Sequence, residues 1–258
     1  MWIRQKLYFQ LVEHGRGWPE EARCGVALEF APVKLLSLLR TDCTHHQIAW
    51  TGFYDLALTR RLAALARQGG ILVDVGANVG YFSCLWAALN PANAVYAFEP
   101  SPRNLEMLRR NVSLHRGLGQ VQILDCALGK EEGEFGFELG PEEESGWGGL
   151  TVEPSGKAIQ VRVQRLDDVI PADTTILVLK IDAEGADTWV LFGAEKTLRQ
   201  KRIKHIFFEV NPARMQQLGT RSDEAEEFLR SVGYKVHALK GNGSNEVHAV
   251  PEWRSGWS

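Results

Sequence analysis

The sequence predicts an α/β fold built on a largely parallel sheet, and three observations carry that prediction. From Ile71 onward, short apolar runs rich in branched residues alternate with longer runs of helical period. The first run, Leu72-Val73-Asp74-Val75, passes through Gly76 and Gly80 into a periodic apolar segment, the strand, tight turn and helix of a Rossmann-like unit. The next run, Ala94 to Phe98, ends in Glu99-Pro100. Its carboxylate sits at a strand tip roughly 20 to 25 residues beyond the glycine turn, where such folds hold a ribose diol.

A chain of 258 residues with 45% apolar and 24% charged content has the composition of a globular protein with a substantial core. We divide it into an N-terminal cap or extension over 1–52 and a main domain over 53–258, with a hairpin insertion near 130–165. A net charge of -3 gives no general attraction to polyanions, so no nucleic-acid partner is expected. The apolar stretch Leu7 to Val12 is interrupted by Gln10 and followed by Glu13, too short for a signal peptide or a membrane span, and the expected location is cytoplasmic. Cys24, Cys43, Cys84 and Cys126 lack metal or disulfide spacing and are expected to be reduced and buried. Oligomeric state is not legible.

Taken in order, Val26 to Phe30 and Lys34 to Leu39, separated by Pro32, predict short strands or a hairpin. His45-His46 are expected on the surface or in a loop, and Trp50, Phe53, Tyr54 and Trp147 are candidates for a pocket wall or lid, or for cap packing. Asp55 to Ala66 has helical spacing and stops at Gly69-Gly70. Then come a strand over Ile71 to Val75, a helix over Val79 to Leu89, a strand over Ala94 to Glu99, and a helix over Pro102 to His115 with Ser101 as N-cap. Val121 to Leu124 is the third strand of the series, with Asp125 at its tip. Between Gly129 and Asp168 the alternation pauses: Gly146-Trp147-Gly148-Gly149 is too flexible for an element interior, and Ala158 to Leu166 alternates as a strand. A hairpin beside the sheet with a mobile loop is expected. Thr175 to Ile181 is a buried strand, Ala186 to Arg199 one helix, and Ile203 to Val210 a strand ending in Glu209. A helix over Asp223 to Val232 precedes Lys235 to Leu239 and Glu246 to Val250, a closing hairpin around Gly241 to Asn245 that puts one antiparallel strand in the sheet.

Five strands thus end in polar groups at one edge: Asp74, Glu99, Asp125, Asp182 with Glu184, and Glu209 with Asn211. Ligands of open parallel sheets bind outside the carboxyl ends of the strands, and a row of carboxylates there suits a cationic or hydroxyl-rich ligand. A pyrophosphate would prefer a helix N-terminus with no acid beside it. S-adenosylmethionine, which offers an ammonium, a sulfonium and a ribose diol without phosphate, fits better than a dinucleotide.

Asp74-Val75-Gly76-Ala77-Asn78-Val79-Gly80-Tyr81, Phe98-Glu99-Pro100-Ser101, Leu166-Asp167-Asp168, Leu179-Lys180-Ile181-Asp182-Ala183-Glu184-Gly185-Ala186 and Phe208-Glu209-Val210 together resemble the FkbM-type class I methyltransferases, from about Phe53 to Tyr234. The block from Lys180 to Gly185 is the specific part, and Asp187 stands where members often have glutamate. The resemblance implies a seven-stranded sheet with a reversed last strand, S-adenosylmethionine as cofactor, and methylation of a hydroxyl on a small metabolite or sugar. By position it implies that Gly76, Ala77, Asn78, Gly80 and Tyr81 approach the methionine moiety and that Asp74 attracts its ammonium directly or through water. Glu99, with Pro100 beside it, would take the ribose hydroxyls, while Asp125 and Ala127 would line the adenine end. Helix capping is the structural alternative for Asp74 and Glu99.

Methyl transfer to oxygen is an in-line displacement in which alignment matters most and a base or metal lowers the hydroxyl's pKa. Lys180, Asp182 and Glu184 alternate at a strand end and form a candidate catalytic cluster; an ion pair plus a helix cap is the alternative. Asp182, Glu209 and Asn211 are weak candidates for a magnesium site, since hard oxygen ligands suit that ion. Two other readings stay open: a catalytically inactive binding module, and a nucleotide-dependent oxidoreductase, which Asp74 and the lack of a third glycine disfavour.

Overall fold

The computed structural model describes Trp18 and residues 24–115, 118, 120–239 and 245–252. Much of the predicted N-terminal cap and the turn Gly241 to Ser244 lie outside these residues.

Strands β1 (Val26–Ala27) and β2 (Lys34–Leu35) form a small antiparallel pair, as Pro32 and the two apolar bursts predict. Helix α1 (Cys43–Thr51) follows, in a stretch to which the sequence pattern assigns no element. It is set by Asp42, whose side chain accepts the His45 N–H, and it closes at Gly52 in the left-handed region. His45 is consequently not a surface group: it lies fully buried within α1. Helix α2 (Leu56–Ala66) leads into β3 (Ile71–Val75), α3 (Tyr81–Leu89), β4 (Ala94–Phe98), α4 (Pro102–Ser113) and β5 (Val121–Leu124), the predicted alternation.

The insertion is more than a hairpin. Strands β6 (Ala127–Leu128), β7 (Gly133–Glu138), β8 (Gly149–Thr151) and β9 (Ile159–Gln164) make a four-stranded sheet in the order β6-β9-β7-β8. Gly149, expected in a loop, opens a strand; a 3-10 turn over Ser145–Trp147 precedes it. The short helix α5 (Leu166–Val169) returns the chain to β10 (Ile176–Ile181). The single helix predicted next is two, α6 (Asp187–Gly193) and α7 (Glu195–Arg199). The break falls where the chain needs Gly193: a Cβ there would meet the Gly129 carbonyl oxygen at 2.0 Å. Strand β11 (Ile203–Glu209), α8 (Pro212–Gln217), α9 (Glu224–Ser231), β12 (Tyr234–Ala238) and β13 (Glu246–Pro251) are the last of the described elements.

The main sheet has seven strands in the order β12-β13-β11-β10-β3-β4-β5, and only β13 runs antiparallel to its neighbours. Strand order reverses beside β3, so the ligand crevice opens at the carboxyl ends of β3, β4 and β10. The alternation of strand side chains divides the core between the faces. Leu72, Val95 and Val178 pack with Leu62, Leu85, Trp86 and Leu108 of α2, α3 and α4. Val73, Val75, Leu179 and Ile181 pack on the opposite face with Val190, Leu191, Leu198 and Leu229 of α6, α7 and α9. Each fully buried aliphatic side chain contributes about 1.5–3 kcal/mol. Ile48 and Phe53 enter the first of these clusters and Phe53 is wholly buried, so Phe53 is a core residue and not pocket wall. Among the described residues no helix is long and apolar enough to cross a membrane.

Candidate active site

The carboxyl ends of β3 and β10 meet so closely that the turn after β3 has little freedom. Asp182 N donates to Val75 O at 3.1 Å, and Gly76 and Ala77 N–H groups both donate to Phe98 O at 3.0 Å. A Cβ on Gly76, at φ +71, would stand 2.0 Å from the Asp182 carbonyl oxygen, so glycine is required there by the neighbouring strand end. Gly80 serves helix packing: its Cβ would meet Leu108 Cδ1 of α4 at 2.5 Å.

From this turn the backbone reaches Glu99. Asn78 N donates to Glu99 Oε2 at 2.7 Å and Ser101 N to Oε1 at 2.9 Å. The side chain is almost fully buried, and that burial pushes its carboxyl up to about 7 against the opposing pull of the two N–H groups and of Lys180. Ser101 occupies the N-cap position of α4 but makes no side-chain cap; its Oγ is buried without a partner.

Two cavities adjoin at this edge and share Gly76, Asn78, Gly146 and Asp182 in their walls. The smaller, about 590 Å³, runs from Glu99, Pro100 and Asn104 past Phe98, Ala127 and Leu128 to Phe137 and Leu150 of the insertion. The larger, about 1390 Å³, is bounded by Ala77, Tyr81, Phe82, Tyr54 and Trp147, by Lys180, Asp182 and Glu184, and by Glu209, Asn211 and Arg214. Trp147, 55% exposed, is anchored through its carbonyl oxygen, which accepts from Arg214 Nη2 at 2.7 Å.

Two of the predicted ligand carboxylates stand elsewhere. Asp74 lines neither cavity. It lies fully buried on the α3 face of β3, where its Oδ2 accepts from Ser83 Oγ at 2.6 Å and its Oδ1 is 3.3 Å from Lys180 Nζ. Both of its oxygens are thus engaged inside the fold, by Ser83 and by Lys180, and the lysine directly across the ladder is the one that lines the larger cavity. Asp125 is also outside both walls: exposed at the sheet edge, it pairs with Arg109 at 3.5 Å and Arg162 at 3.4 Å. Its neighbour Ala127 does line the smaller cavity.

Lys180, Asp182 and Glu184 all reach the larger cavity. Lys180 sits opposite Asp74 across the β3–β10 ladder and bonds Gly76 O at 3.0 Å; its Nζ is also 3.5 Å from Asp182 Oδ2. Burial alone would lower its pKa, but the carboxylates of Asp74 and Asp182 outweigh that and hold it above the ordinary lysine value. Extended geometry ends before Glu184, whose φ is +48. Desolvation first, and then the charges of Asp182 and Glu209, raise the Glu184 carboxyl to about 8. Glu209 is raised too, by burial and by Asp182. Asp187, fully buried, accepts the Glu209 N–H at 3.2 Å and is raised to about 7, chiefly by desolvation.

The magnesium reading does not fit this donor set. Asp182 is paired with Lys180, Asn211 Oδ1 caps α8 by accepting the Arg214 N–H at 3.3 Å, and among the described residues no group of three or more His, Cys, Asp or Glu could hold a metal ion. Of the cysteines, Cys84 and Cys126 are buried as expected, whereas Cys24 and Cys43 are exposed.

One polar network joins segments far apart in sequence. Asp42 Oδ2 accepts the Ser145 N–H at 2.6 Å, His45 Nδ1 accepts the Leu39 N–H at 3.0 Å, and Ser145 Oγ lies 3.5 Å from His45 Nε2 and 3.4 Å from Asn78 Oδ1. Asn104 Nδ2 of α4 donates to Ser145 O at 3.0 Å. Asp42, His45, Ser145 and Asn104 are all buried. They fix the insertion over the glycine turn. Spacing in sequence gives no signal for contacts of this separation.

Comparison with known proteins gives a consistent result. Residues 74–236 match the Methyltransferase FkbM domain family. The chain is similar to the 31-O-demethyl-FK506 methyltransferase FkbM of Streptomyces tacrolimicus, at 30% identity over 222 residues, 73% of this chain and 82% of that protein. It is similar to the hexuronic acid methyltransferase AglP of Haloferax volcanii, at 30% identity over 154 residues, 59% of this chain and 60% of that protein. Among solved structures, a methyltransferase FkbM from Methylobacillus flagellatus aligns with TM-score 0.49 and 16% identity, over 70% of this chain and 43% of that one.

Proposed function

This chain belongs to the FkbM methyltransferase family, and from that premise we propose that it is an S-adenosylmethionine-dependent O-methyltransferase acting on a hydroxyl of a small metabolite or sugar. The observation that carries the proposal is the pair of adjoining cavities with Asp182 in the wall of both. The smaller has the character the cofactor's nucleoside needs: apolar walls from Phe98, Leu128, Phe137 and Leu150 for an aromatic base, and Glu99 for a diol. The cofactor supplies an electrophilic methyl on a sulfonium, and Asp182 at the seam suits a neighbouring positive charge. The larger cavity, polar and open, is assigned to the acceptor.

Within it the residues divide the work. Lys180 holds the end of β10 against the glycine turn and fixes Asp182. Asp182 accepts a hydrogen bond from the acceptor hydroxyl and so orients its oxygen. Glu184, with a carboxyl near 8, has the proton affinity of a base working close to neutral pH. Relatives named for 31-O-demethyl-FK506 and for a hexuronic acid support a hydroxylated acceptor.

Screening hydroxylated metabolites and sugars with methyl-labelled cofactor tests the reading, and once an acceptor is found, Asp182→Asn tests the site. The variant is expected still to bind the cofactor while turnover falls at least about 100-fold, the scale of a lost general-base or orienting group. Turnover at the wild-type rate removes Asp182 from the chemistry.

A further inference from the structure

Asn104, on the first turn of α4, is 3% exposed and belongs to the wall of the smaller cavity. Its two polar atoms fare differently. Nδ2 donates to Ser145 O at 3.0 Å, whereas Oδ1 is shielded from water and has no hydrogen-bond partner. Buried amide oxygens are nearly always paired, and an unpaired one at a cavity marks a place where a ligand supplies the donor. The other unpaired atoms at this helix start, Ser101 Oγ and Arg103 Nε, belong to residues outside the cavity wall.

The surroundings define what that donor is. Asn104, Ser145, Asn78 and Glu99 form one continuous polar wall, opposite the apolar side made by Phe98 and Leu128. Four donors along that wall are already used: Asn78 N and Ser101 N on Glu99, Asn104 Nδ2 on the Ser145 carbonyl, Ser145 N on Asp42. Each Glu99 oxygen has accepted a single N–H and keeps one lone pair, and Asn104 Oδ1 has accepted none. The wall therefore keeps unused acceptor capacity at Glu99 and at Asn104, and that pair fits a group that presents two hydroxyl donors side by side.

We infer that Asn104 is a second ribose-binding residue: its Oδ1 accepts a hydrogen bond from one hydroxyl of the cofactor's ribose while Glu99 holds the other. The inference rests on the reading that S-adenosylmethionine occupies the smaller cavity. It also links cofactor to insertion, because the same amide that meets the ribose holds Ser145, at the turn that carries Trp147 over the larger cavity.

The test is calorimetric titration of S-adenosylhomocysteine and its 2′-deoxy and 3′-deoxy analogues into wild type and Asn104→Leu, with Asn104→Ala as the second variant should leucine prevent folding. The substitution is expected to weaken the parent ligand about 5- to 10-fold, the worth of one neutral hydrogen bond. For one of the two monodeoxy analogues, wild type and variant should bind within about twofold of each other, because the hydroxyl that Asn104 reads is already gone. Equal weakening of all three ligands means that Asn104 acts only by holding Ser145, and overturns the inference while leaving the cofactor assignment standing. Failure of folded wild type to bind S-adenosylhomocysteine overturns the cofactor assignment and the inference with it.

Discussion

Lys180→Met separates the scaffold role of the lysine from any chemical one. Lys180 Nζ lies 3.3 Å from Asp74 and 3.5 Å from Asp182, and bonds Gly76 O at 3.0 Å, with its side chain 4% exposed. Methionine keeps the stem as far as Cε without the ammonium and leaves Asp74 fully buried with only Ser83 as a hydrogen-bonding partner. Removing one member of a buried ion pair costs about 3–5 kcal/mol, most of it from the charge left behind. At roughly 2–4 °C per kcal/mol for a domain of this size, the melting temperature should fall by about 6–20 °C. Differential scanning calorimetry at neutral pH measures it. The double variant Asp74→Asn with Lys180→Met removes both charges and should recover more than half of the loss. A fall of less than about 2 °C in the single variant, or a double variant no more stable than the single one, would refute the argument that Asp74 is an interior partner.

Gly76→Ala places a Cβ 2.0 Å from the Asp182 carbonyl oxygen at φ +71, a clash between two backbone segments that a rotamer change cannot relieve. We expect a loss of more than about 2 kcal/mol in chemical denaturation together with at least tenfold weaker cofactor binding, since Gly76 borders both cavities. Stability should also depend on pH. Burial raises Glu99 and Asp187 to about 7 and Glu184 and Glu246 to about 8, so the folded chain holds these protons more tightly than the unfolded chain does. Their contribution to stability is therefore present at low pH and is lost as pH rises from about 4 through 8. Asp187, from an ordinary 3.8 to about 7 in full burial, accounts for up to roughly 4 kcal/mol of that loss. Asp187→Asn should flatten the decline between pH 5 and pH 8 in thermal melts (roughly the interval set by those values), and an unchanged slope would show that its carboxyl titrates normally.

The parts of the fold legible in the sequence were those in which one local pattern decides. Strands β3 and β5 were bounded correctly by their branched residues, and Ser101-Pro102 marked the start of α4. Helix α1 escaped notice because Cys43 to Gln47 is polar and the helix is set by a capping bond from Asp42. Helix α8 does carry a local signal, Asn211 followed by Pro212, a capping residue and a proline in the first turn. The site divided along the same line. Glu99, Asp182 and Glu184 reach the cavities because strand tips converge there, a property of parallel sheets that spacing alone predicts. Asp74 and Asp125 show the limit of that rule, since a strand-end acid faces the crevice only if its neighbours allow it. Asp74 was drawn inward by a lysine directly across the ladder, and Asp125 outward by two arginines. The contacts of Asn104 and His45 with Ser145 span 41 and 100 residues and depend on how the insertion packs, which no local pattern encodes.

The central claim is that the smaller cavity holds S-adenosylmethionine through Glu99, and calorimetric titration of that cofactor into wild type, Glu99→Ala and Glu209→Ala tests it most directly. The account predicts saturable binding at one site in wild type, at least about tenfold weaker binding in Glu99→Ala, the scale of a hydrogen bond to a charged group, and affinity within about threefold of wild type in Glu209→Ala, which borders only the larger cavity. No heat of binding from folded wild type, or equal loss in both variants, would contradict it.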